Sequence, residues 1–325
     1  MKNRVFGMIG IGLNNANINA DMTGNPVRHG DEFTASPFSI KYLFRNYWDT
    51  KGIDVFYMKS YIVDKKNKGL VPRSLEKRLE QKVENLNKLS EIEIQRELFK
   101  YIDVSCFGGV FAVKGFNRNY YGTIQFGTGV NKYEDSEVVR ERMLSPFQNP
   151  KGKINKDTNE EIENRQTTLG SRAYLTEGHY FYDFIINPLV NKAVMELDPE
   201  LECFNENNYD LFKEASLNCA NSLNSVSKKG CYNEFAIFIK LKEDSVSYLG
   251  NISNKVSFYK DEKRNVIDIS LLAQDLLSID EDIENIEIYY NPTDTILKFP
   301  IESLKSRTSI NNILSTIKID FMEKN

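Results

Sequence analysis

Residues 5–20 read VFGMIGIGLNNANINA, an apolar, glycine-dotted run that ends in a loop packed with asparagine. Three readings compete: a secretory leader, a dinucleotide-binding turn, or a core strand that feeds a functional loop. Lys2 and Arg4 supply a positive start, but Ala16-Asn-Ile-Asn-Ala20 offers no clean small-x-small cleavage site. Gly10-Ile-Gly12 opens a G-x-G-x-x-G pattern, yet Asn15 stands where the third glycine belongs. A dinucleotide turn must also open directly into a helix. Here Asn14, Asn15, Asn17 and Asn19 are followed by Thr23-Gly24-Asn25-Pro26, which is loop chemistry. The strand-then-loop reading survives.

Composition narrows the function classes. The chain has 325 residues, enough for one large domain with insertions or for two domains. A hydrophobic fraction of 41% and an aromatic fraction of 12% mark a folded globular protein. Cys106, Cys203, Cys219 and Cys231 form no C-x-x-C pair, so reduced thiols in a cytoplasmic protein are expected. His29 and His179 are too few for a His-rich metal centre, and no G-x-S-x-G elbow is present. No stretch approaches the ~18 apolar residues of a membrane span. The net charge of −4 counts against indiscriminate nucleic-acid binding. The sign is uneven, however: residues 280–287 are acidic with no balancing base, whereas the first 48 residues set five bases against Asp21, Asp31 and Glu32. A locally basic face on an acidic protein still binds phosphate.

Along the chain, a helix is expected from Pro37, with Ser36 as N-cap and Ile40, Leu43, Phe44 and Tyr47 as its buried stripe. Lys41 and Arg45 share another face, expected to be exposed, so that removing them would barely change stability. Residues 53–63 suggest a short strand. Leu75, Leu79, Val83 and Leu86 mark a helix from Ser74, and Ser90 with Glu93 forms a capping box for another that runs to about Ile102. Residues 104–113 read as an apolar strand, Asn117-Arg118-Asn119 as a polar turn, and residues 120–126 as the returning strand. That stretch shares the Gly-aromatic-basic mixture of RRM strands. Residues 131–168 form a polar insertion, residues 165–188 return as strand, and residues 207–223 look helical. SVSKKG at 225–230 is a basic turn into a strand over 234–242. This order suggests one α+β domain over residues 1–325, of ferredoxin or RRM kind, carrying insertions.

Four stretches in this order carry a resemblance: NNANINADMTGNPVR, SPFSIKYLFRNY, DVSCFGGVFAVKGFN with YGTIQFGTG, and TTLGSR. Together they resemble the backbone subunit of type I CRISPR interference complexes (Cascade), closest to the I-B and I-C branches of the RAMP superfamily. The match spans residues 5–188 and continues more weakly to about 242. It departs at Pro37 and Ser39, where relatives often carry an acidic–basic pair, and at Tyr42, where a basic residue is common.

The resemblance implies an RRM-like palm, a helical finger region over about 49–102 and an extended thumb hairpin over about 131–168. Copies of such a subunit polymerise along a guide RNA (crRNA), grip its backbone and displace bases at intervals. Implied partners are the guide, target DNA paired to it, further copies of the chain, and the large, small, guide 5′-end-capping and guide-processing endoribonuclease subunits. Implied RNA contacts are Asn15, Asn17, Asn19 and Arg28 in the loop, with Ser36, Lys41 and Arg45 on the helix. Lys114, Arg118 and Gln125 follow in the hairpin region. Arg140, Arg142, Arg165, Thr167, Thr168 and Arg172 belong to the thumb and its return, and Lys228 and Lys229 to the basic turn. Met143, Leu144 or Phe147 would lie against a base. No catalytic residue, metal, cofactor or membrane contact is expected.

Physical reasoning points the same way. A protein that carries guides of any sequence must hold phosphates and sugars, which amides, hydroxyls, backbone N–H groups and a few cations do. The rival is a type III-like target-RNA endoribonuclease that uses a loop aspartate, Asp21 or Asp31. A lone carboxylate is weak support for metal-assisted cleavage, and Asp21 equally suits the shaping of a turn. A third reading is a single-stranded RNA-binding module that does not polymerise.

Overall fold

A strand covered on both faces needs an unbroken apolar run, and residues 5–13 are all buried. The computed structural model describes residues 1–64, 66, 68–148, 166–300 and 304–316. Strand β1 (Val5–Ala16) leads through β2 (Arg28–His29) and β3 (Glu32–Ala35) into helix α1 (Pro37–Thr50). A small hairpin, β4 (Tyr61–Val63) and β5 (Leu70–Pro72), precedes α2 (Leu75–Lys82), α3 (Glu91–Phe99) and α4 (Ile102–Phe107). Next come β6 (Gly108–Val113), β7 (Phe116–Tyr121), β8 (Ile124–Phe126) and β9 (Gly129–Asn131). The long pair β10 (Val138–Gln148) and β11 (Gln166–Ile186) is followed by α5 (Lys192–Leu197), α6 (Glu206–Asn218) and β12 (Cys231–Leu241). The C-terminal part holds β13 (Ser257–Asp261), β14 (Arg264–Asp268), α7 (Ser270–Ser278), β15 (Ile283–Tyr290), β16 (Thr295–Lys298) and β17 (Thr308–Asn312).

The main sheet runs β17-β15-β12-β1-β11-β9-β3-β2, with β8 and β10 also paired to β11. Its centre is antiparallel: β1 pairs with β11 from Val5↔Ile186 to Ala16↔Leu175, and with β12 from Val5↔Lys240 to Leu13↔Cys231. Helix α1 lies between β1 and the β8/β9 strands in the chain, and α6 between β11 and β12. That connectivity is the β-α-β-β-α-β unit of ferredoxin-like sheets. The α+β class expected from the order of elements is the one observed.

Alternation along β1 sends side chains to opposite faces. Val5, Ile9, Ile11 and Leu13 meet α1 and α6 through Phe44, Trp48 and Phe212. Phe6 and Met8 meet the C-terminal part, where Leu249, Ile252, Phe258 and Leu272 cover them together with Phe181 and Phe235. Gly12 belongs to this second face. A Cβ there would stand 2.4 Å from Cζ of Tyr232, so the ring and the strand come this close only with glycine. A third apolar cluster, with Phe56, Leu79, Leu98 and Phe111 at its centre, gives the helical insertion a core of its own.

Several local expectations change. Residues 102–107 are helix, and strand begins only at Gly108. A short apolar run buried all round carries no period to separate helix from strand. Gly108, with φ 70°, turns the chain; a Cβ there would meet the Tyr120 carbonyl oxygen at 2.1 Å. The turn falls at Lys114-Gly115, and Asn117, Arg118 and Asn119 lie within β7. Of residues 53–63, only Tyr61–Val63 is strand. The insertion expected over 131–168 starts as true sheet, because β10 pairs with β11 from Val138↔Leu175 onward. Ser90 caps α3 with the full capping box as read, and Ser74 caps α2 with its side chain. Among the described residues no helix is long and apolar enough to cross a membrane.

One ionic network lies between the sheet and its C-terminal cover. The register of β12 against β1 shifts between Gly10 and Ile11, and Glu234 is the extra residue. Its carboxylate lies 2.6 Å from Nδ1 of fully buried His179, while Glu177 lies 3.3 Å from Nε2. Phe258 stacks on the imidazole at 3.7 Å, and Lys260 pairs with Glu177 at 2.7 Å. Burial works to lower the His179 pKa, but the Glu234 and Glu177 carboxylates outweigh it and hold it up at about 9. A folded-state value raised above the ordinary 6.5 gives stability that is complete below pH 6.5 and lost as pH rises through about 9. Urea midpoints measured across that window should fall in the wild type. The His179→Gln variant should lack this fall; an equal fall would remove His179 as its source.

Candidate nucleic-acid interface

Helix α1 buries Ile40, Leu43, Phe44, Tyr47 and Trp48. The residues off that stripe, Phe38, Lys41, Tyr42 and Arg45, follow the same i, i+3, i+4, i+7 spacing and make a second row. Phe38 is 77% exposed and Tyr42 47%, whereas the Arg45 side chain is only 15% exposed. Nε of Arg45 donates to Asp103 at 2.9 Å. Asp103 is fully buried, and it also accepts from the Phe56 and Tyr57 backbone N–H groups at 2.7 and 2.9 Å. The guanidinium lies over Tyr57 and Phe107, 5.4 and 5.5 Å from the ring centroids. Lys41 lies over Phe107 at 5.4 Å. Burial and then the neighbouring Arg45 push its pKa down, and no carboxylate opposes them.

Phe38, Lys41, Arg45, Tyr57 and Phe107 wall a cleft of about 440 Å³ between α1 and the β6–β7 hairpin, closed by Gly108, Gly109, Tyr121 and Gln125. Its chemistry is cationic and aromatic. Gln125 is exposed and donates its amide to the Gly122 carbonyl at 2.9 Å.

The asparagine loop makes an adjoining surface. Asn14 and Asn15 are exposed, with Asn15 at φ 49°. Asn17, expected at the surface, is only 4% exposed; its amide donates to the Ala173 carbonyl at 3.2 Å and its oxygen accepts from Asn19 N–H at 3.0 Å. Ser36 does not cap α1 with its side chain; its hydroxyl donates to Asn19 Oδ1 at 3.0 Å. Lys228 is likewise turned inward. Its ammonium donates to the Asn17 and Ile18 carbonyls at 2.6 and 2.5 Å, and burial pushes its pKa down. Lys229 stays exposed. Asp21 Oδ1 accepts from Thr23 N–H, Thr23 hydroxyl and Asn25 N–H at 2.8, 2.7 and 2.9 Å, so this carboxylate shapes the turn. The Thr23 hydroxyl bond leads in holding its pKa down.

Strands β10 and β11 bring Arg140 and Arg172 to the loop: Arg140 donates to Asn25 Oδ1 at 3.0 Å and Arg172 to the Asn15 carbonyl at 2.9 Å. Arg172 also lies over Tyr174, and its Nε–H is buried without a hydrogen-bond partner. Arg142 is exposed on β10, with Met143 and Leu144 beside it at 48% and 58% exposure. Arg28 covers Phe33 at 4.5 Å and donates to the Asp31 carbonyl. Arg118 is paired with Glu91, and Lys114 is exposed at the β6–β7 turn; neither joins the loop cluster. Arg165 lies outside the described residues, as do the side chains of Phe147, Thr167 and Thr168.

Sequence reading missed Asp103, Tyr57, Phe38 and Tyr42. Asp103 carried a signal, because an acid flanked by Tyr101, Ile102 and Val104 must be paired if buried. Phe38 and Tyr42 carried one as well, being apolar yet off the buried stripe. The four cysteines are buried and unpaired, and burial raises the thiol pKa values, to about 12 at Cys203 and Cys219 and about 11 at Cys231.

The two α1 cations should therefore part company in stability measurements. Arg45→Ala leaves Asp103 buried without its ionic partner and should cost about 3–5 kcal/mol. Lys41→Ala should stay within about 0.5 kcal/mol. Chemical denaturation of each single variant checks this, and equal midpoints would show that the Asp103 pair contributes nothing.

The family model described as CRISPR-associated protein Cas7 matches residues 3–274. No curated protein matches the sequence. Among solved structures, a chain of a CRISPR RNA-guided surveillance complex is 12% identical, with a TM-score of 0.47 and 94% of each chain covered. A chain of a CRISPR RNA-guided surveillance complex in a pre-nicking state is also 12% identical, with a TM-score of 0.50, covering 97% of this chain and all of that one. The latter likeness concerns the fold. The family match spans most of the chain, from the start of β1 to within α7, and the protein belongs to the CRISPR-associated protein Cas7 family.

Proposed function

We propose that this protein is a crRNA-binding backbone subunit of a type I, I-B-like Cascade complex, one of several copies laid along a single guide. The observation that carries the reading is the second row of α1. It presents two exposed aromatic rings, a half-buried lysine that no carboxylate neutralises, and an arginine locked in place from behind. Phosphate would supply the missing charge at Lys41, and base faces suit Phe38 and Tyr42. None of these groups reads a base edge, which fits a guide of any sequence. The unsatisfied Nε–H of Arg172 and the exposed Asn14 and Asn15 extend the same chemistry along the loop.

On this reading the β10–β11 arm is the thumb, with Arg140 and Arg142 toward phosphates and Met143 or Leu144 against a base. Residues from about 49 to about 102 are the finger, other Cascade subunits are partners, and target DNA pairs with the held guide. On the same reading the protein binds without catalysis, and the Asp21 carboxylate, which accepts three hydrogen bonds within its own turn, shapes the loop.

Native mass spectrometry of the protein with guide and partner subunits should give several copies per guide; one copy per guide would overturn the polymerising role. Phe38→Ala should weaken single-stranded RNA binding by about 1–3 kcal/mol. Lys41→Gln should flatten the salt dependence by about 0.7 units of slope. Unchanged affinity in the first and unchanged slope in the second would return α1 to an ordinary surface helix. Replacing residues 144–169 with a Gly-Ser turn preserves the Met143↔Gly170 register. That variant should fold yet fail to assemble in ordered arrays on the guide, as seen by electron microscopy.

A further inference from the structure

Glu234 is the extra residue of the β12 bulge, and a bulge re-aims a side chain out of the regular ladder. The residue is only 4% exposed. One of its carboxylate oxygens faces His179, whereas the other, Oε1, is buried without a hydrogen-bond partner. An ionised carboxylate has about four lone-pair sites, so this oxygen is an acceptor with spare capacity. Glu234 lines a cavity of about 250 Å³ beside the end of α6, the start of β12, strand β14 and the β15–β16 turn. Asn221, Asn265 and Asp294 supply polar groups to its wall, and Tyr232 and Leu314 apolar ones. Among the described residues no lysine or arginine lines it.

Negative charge is left over here. Along the seam, Glu234, His179, Glu177 and Lys260 alternate in sign and balance one another when His179 is protonated. Asp294 stands outside that balance. Its oxygens accept from Asn291 Nδ2 and the Thr295 hydroxyl at 2.8 Å each, and no ion pair reaches it among the described residues. Arg264, on β14, is turned instead to the Pro292 and Thr295 carbonyls. Burial first, and then the Glu234, Glu177 and Asp294 carboxylates, push the Tyr232 phenol up, so these acids converge on one ring. Glu234 is buried and Asp294 is exposed, which gives the cavity one deep acid and one at its rim.

We propose that this cavity binds a small aliphatic diamine, with one ammonium on Glu234 Oε1, the other on Asp294, and the methylene stem along Tyr232 and Leu314. An unpaired buried acceptor is costly, and an ammonium offers it a charge-assisted donor. The volume is several times a water's share of about 30 Å³, more than a bare ion fills. A divalent metal ion is the poorer fit because it takes six or more oxygens. The Asn221, Asn233 and Asn291 amide oxygens already accept backbone N–H groups of Asn233, Ala220 and Thr293. A lysine side chain from another protein would bring one charge to a cavity that has two acids.

The proposal does not rest on the guide-binding reading, whose groups lie on α1, the loop after β1 and the β10–β11 arm. The test is calorimetric titration of butane-1,4-diamine into the full-length protein, free of nucleic acid, at about 150 mM salt to screen diffuse attraction. One saturable site per chain is expected. Butane-1,4-diol, the neutral isostere, should give no binding, and butan-1-amine should bind about tenfold more weakly or worse. Glu234→Gln and Asp294→Asn should each weaken the diamine by about tenfold or more. Asp294 is exposed and outside the seam, so its variant carries the test if Glu234→Gln fails to fold. Absence of a saturable site in the wild type would overturn the proposal. Unchanged diamine affinity in Asp294→Asn would overturn it too, as would butan-1-amine binding as tightly as the diamine. Saturable binding of calcium or magnesium chloride that the diamine does not displace, and that Asp294→Asn abolishes, would reassign the cavity to a metal ion and overturn it.

Discussion

Asp103 is a carboxylate fully buried from solvent, and the protein brings three donors to it: the Arg45 guanidinium and the Phe56 and Tyr57 backbone N–H groups. A buried charge left unpaired costs several kcal/mol, so these partners are not optional. Meeting that demand ties together segments distant in the chain. It fixes the rotation of Arg45 on α1, and it pulls the segment after α1 back against α4. It also sets Tyr57 where its ring lies under the guanidinium and its hydroxyl reaches the Val110 carbonyl at 2.9 Å. The cationic, aromatic cleft is in this sense the outer side of an internal electrostatic necessity. Lys41, which shares the helix face but not the carboxylate, keeps a charge that the protein itself does not satisfy.

The sheet imposes a second constraint. A ferredoxin-like sheet with helices on one face leaves the other face open, and an open face is where RRM strands stack bases. Here that face is closed. Phe6, Met8, Phe181 and Phe235 lie under Leu249, Ile252, Phe258 and Leu272, and Glu177, His179 and Glu234 make an ionic seam beneath the cover. On the proposed reading, the groups that would hold nucleic acid therefore lie at the sheet's edges: the α1 row, the loop after β1, and the arm formed by β10 and β11. The aromatic residues around 107–126 that share the RRM mixture serve mostly as core, as with Phe107, Phe111 and Tyr120.

Net charge is a poor guide to such a protein. Many of its acids are spent close to home, as Glu284 is on Lys240, Glu287 on Lys213 and Asp198 on Arg96. What a polyanion meets is the residue left over: cations on exposed or half-exposed surfaces that have no carboxylate of their own. Salt screens the distant acids, and only the local pattern remains within a Debye length.

By itself, the sequence determined the α+β class, because periodicity, caps and turn chemistry are local. The run at 5–13, the stripe Ile40, Leu43, Phe44 and Tyr47, the cap at Ser74 and the capping box at Ser90 each declare their element within a few residues. The order of four weak motifs was enough to name the family. Tertiary structure decided what those motifs do. Asn17 and Lys228, both apt for phosphate by type, are spent on holding the loop, because buried carbonyls and amides must find partners wherever the fold puts them. The helix over residues 102–107 was illegible in the sequence because core on every side erases any period. The structural role of Arg45 was hidden in the sequence, since its partner lies 58 residues away along the chain and is visible only once folded. Pairing across such distances is set by packing, and no local pattern encodes it.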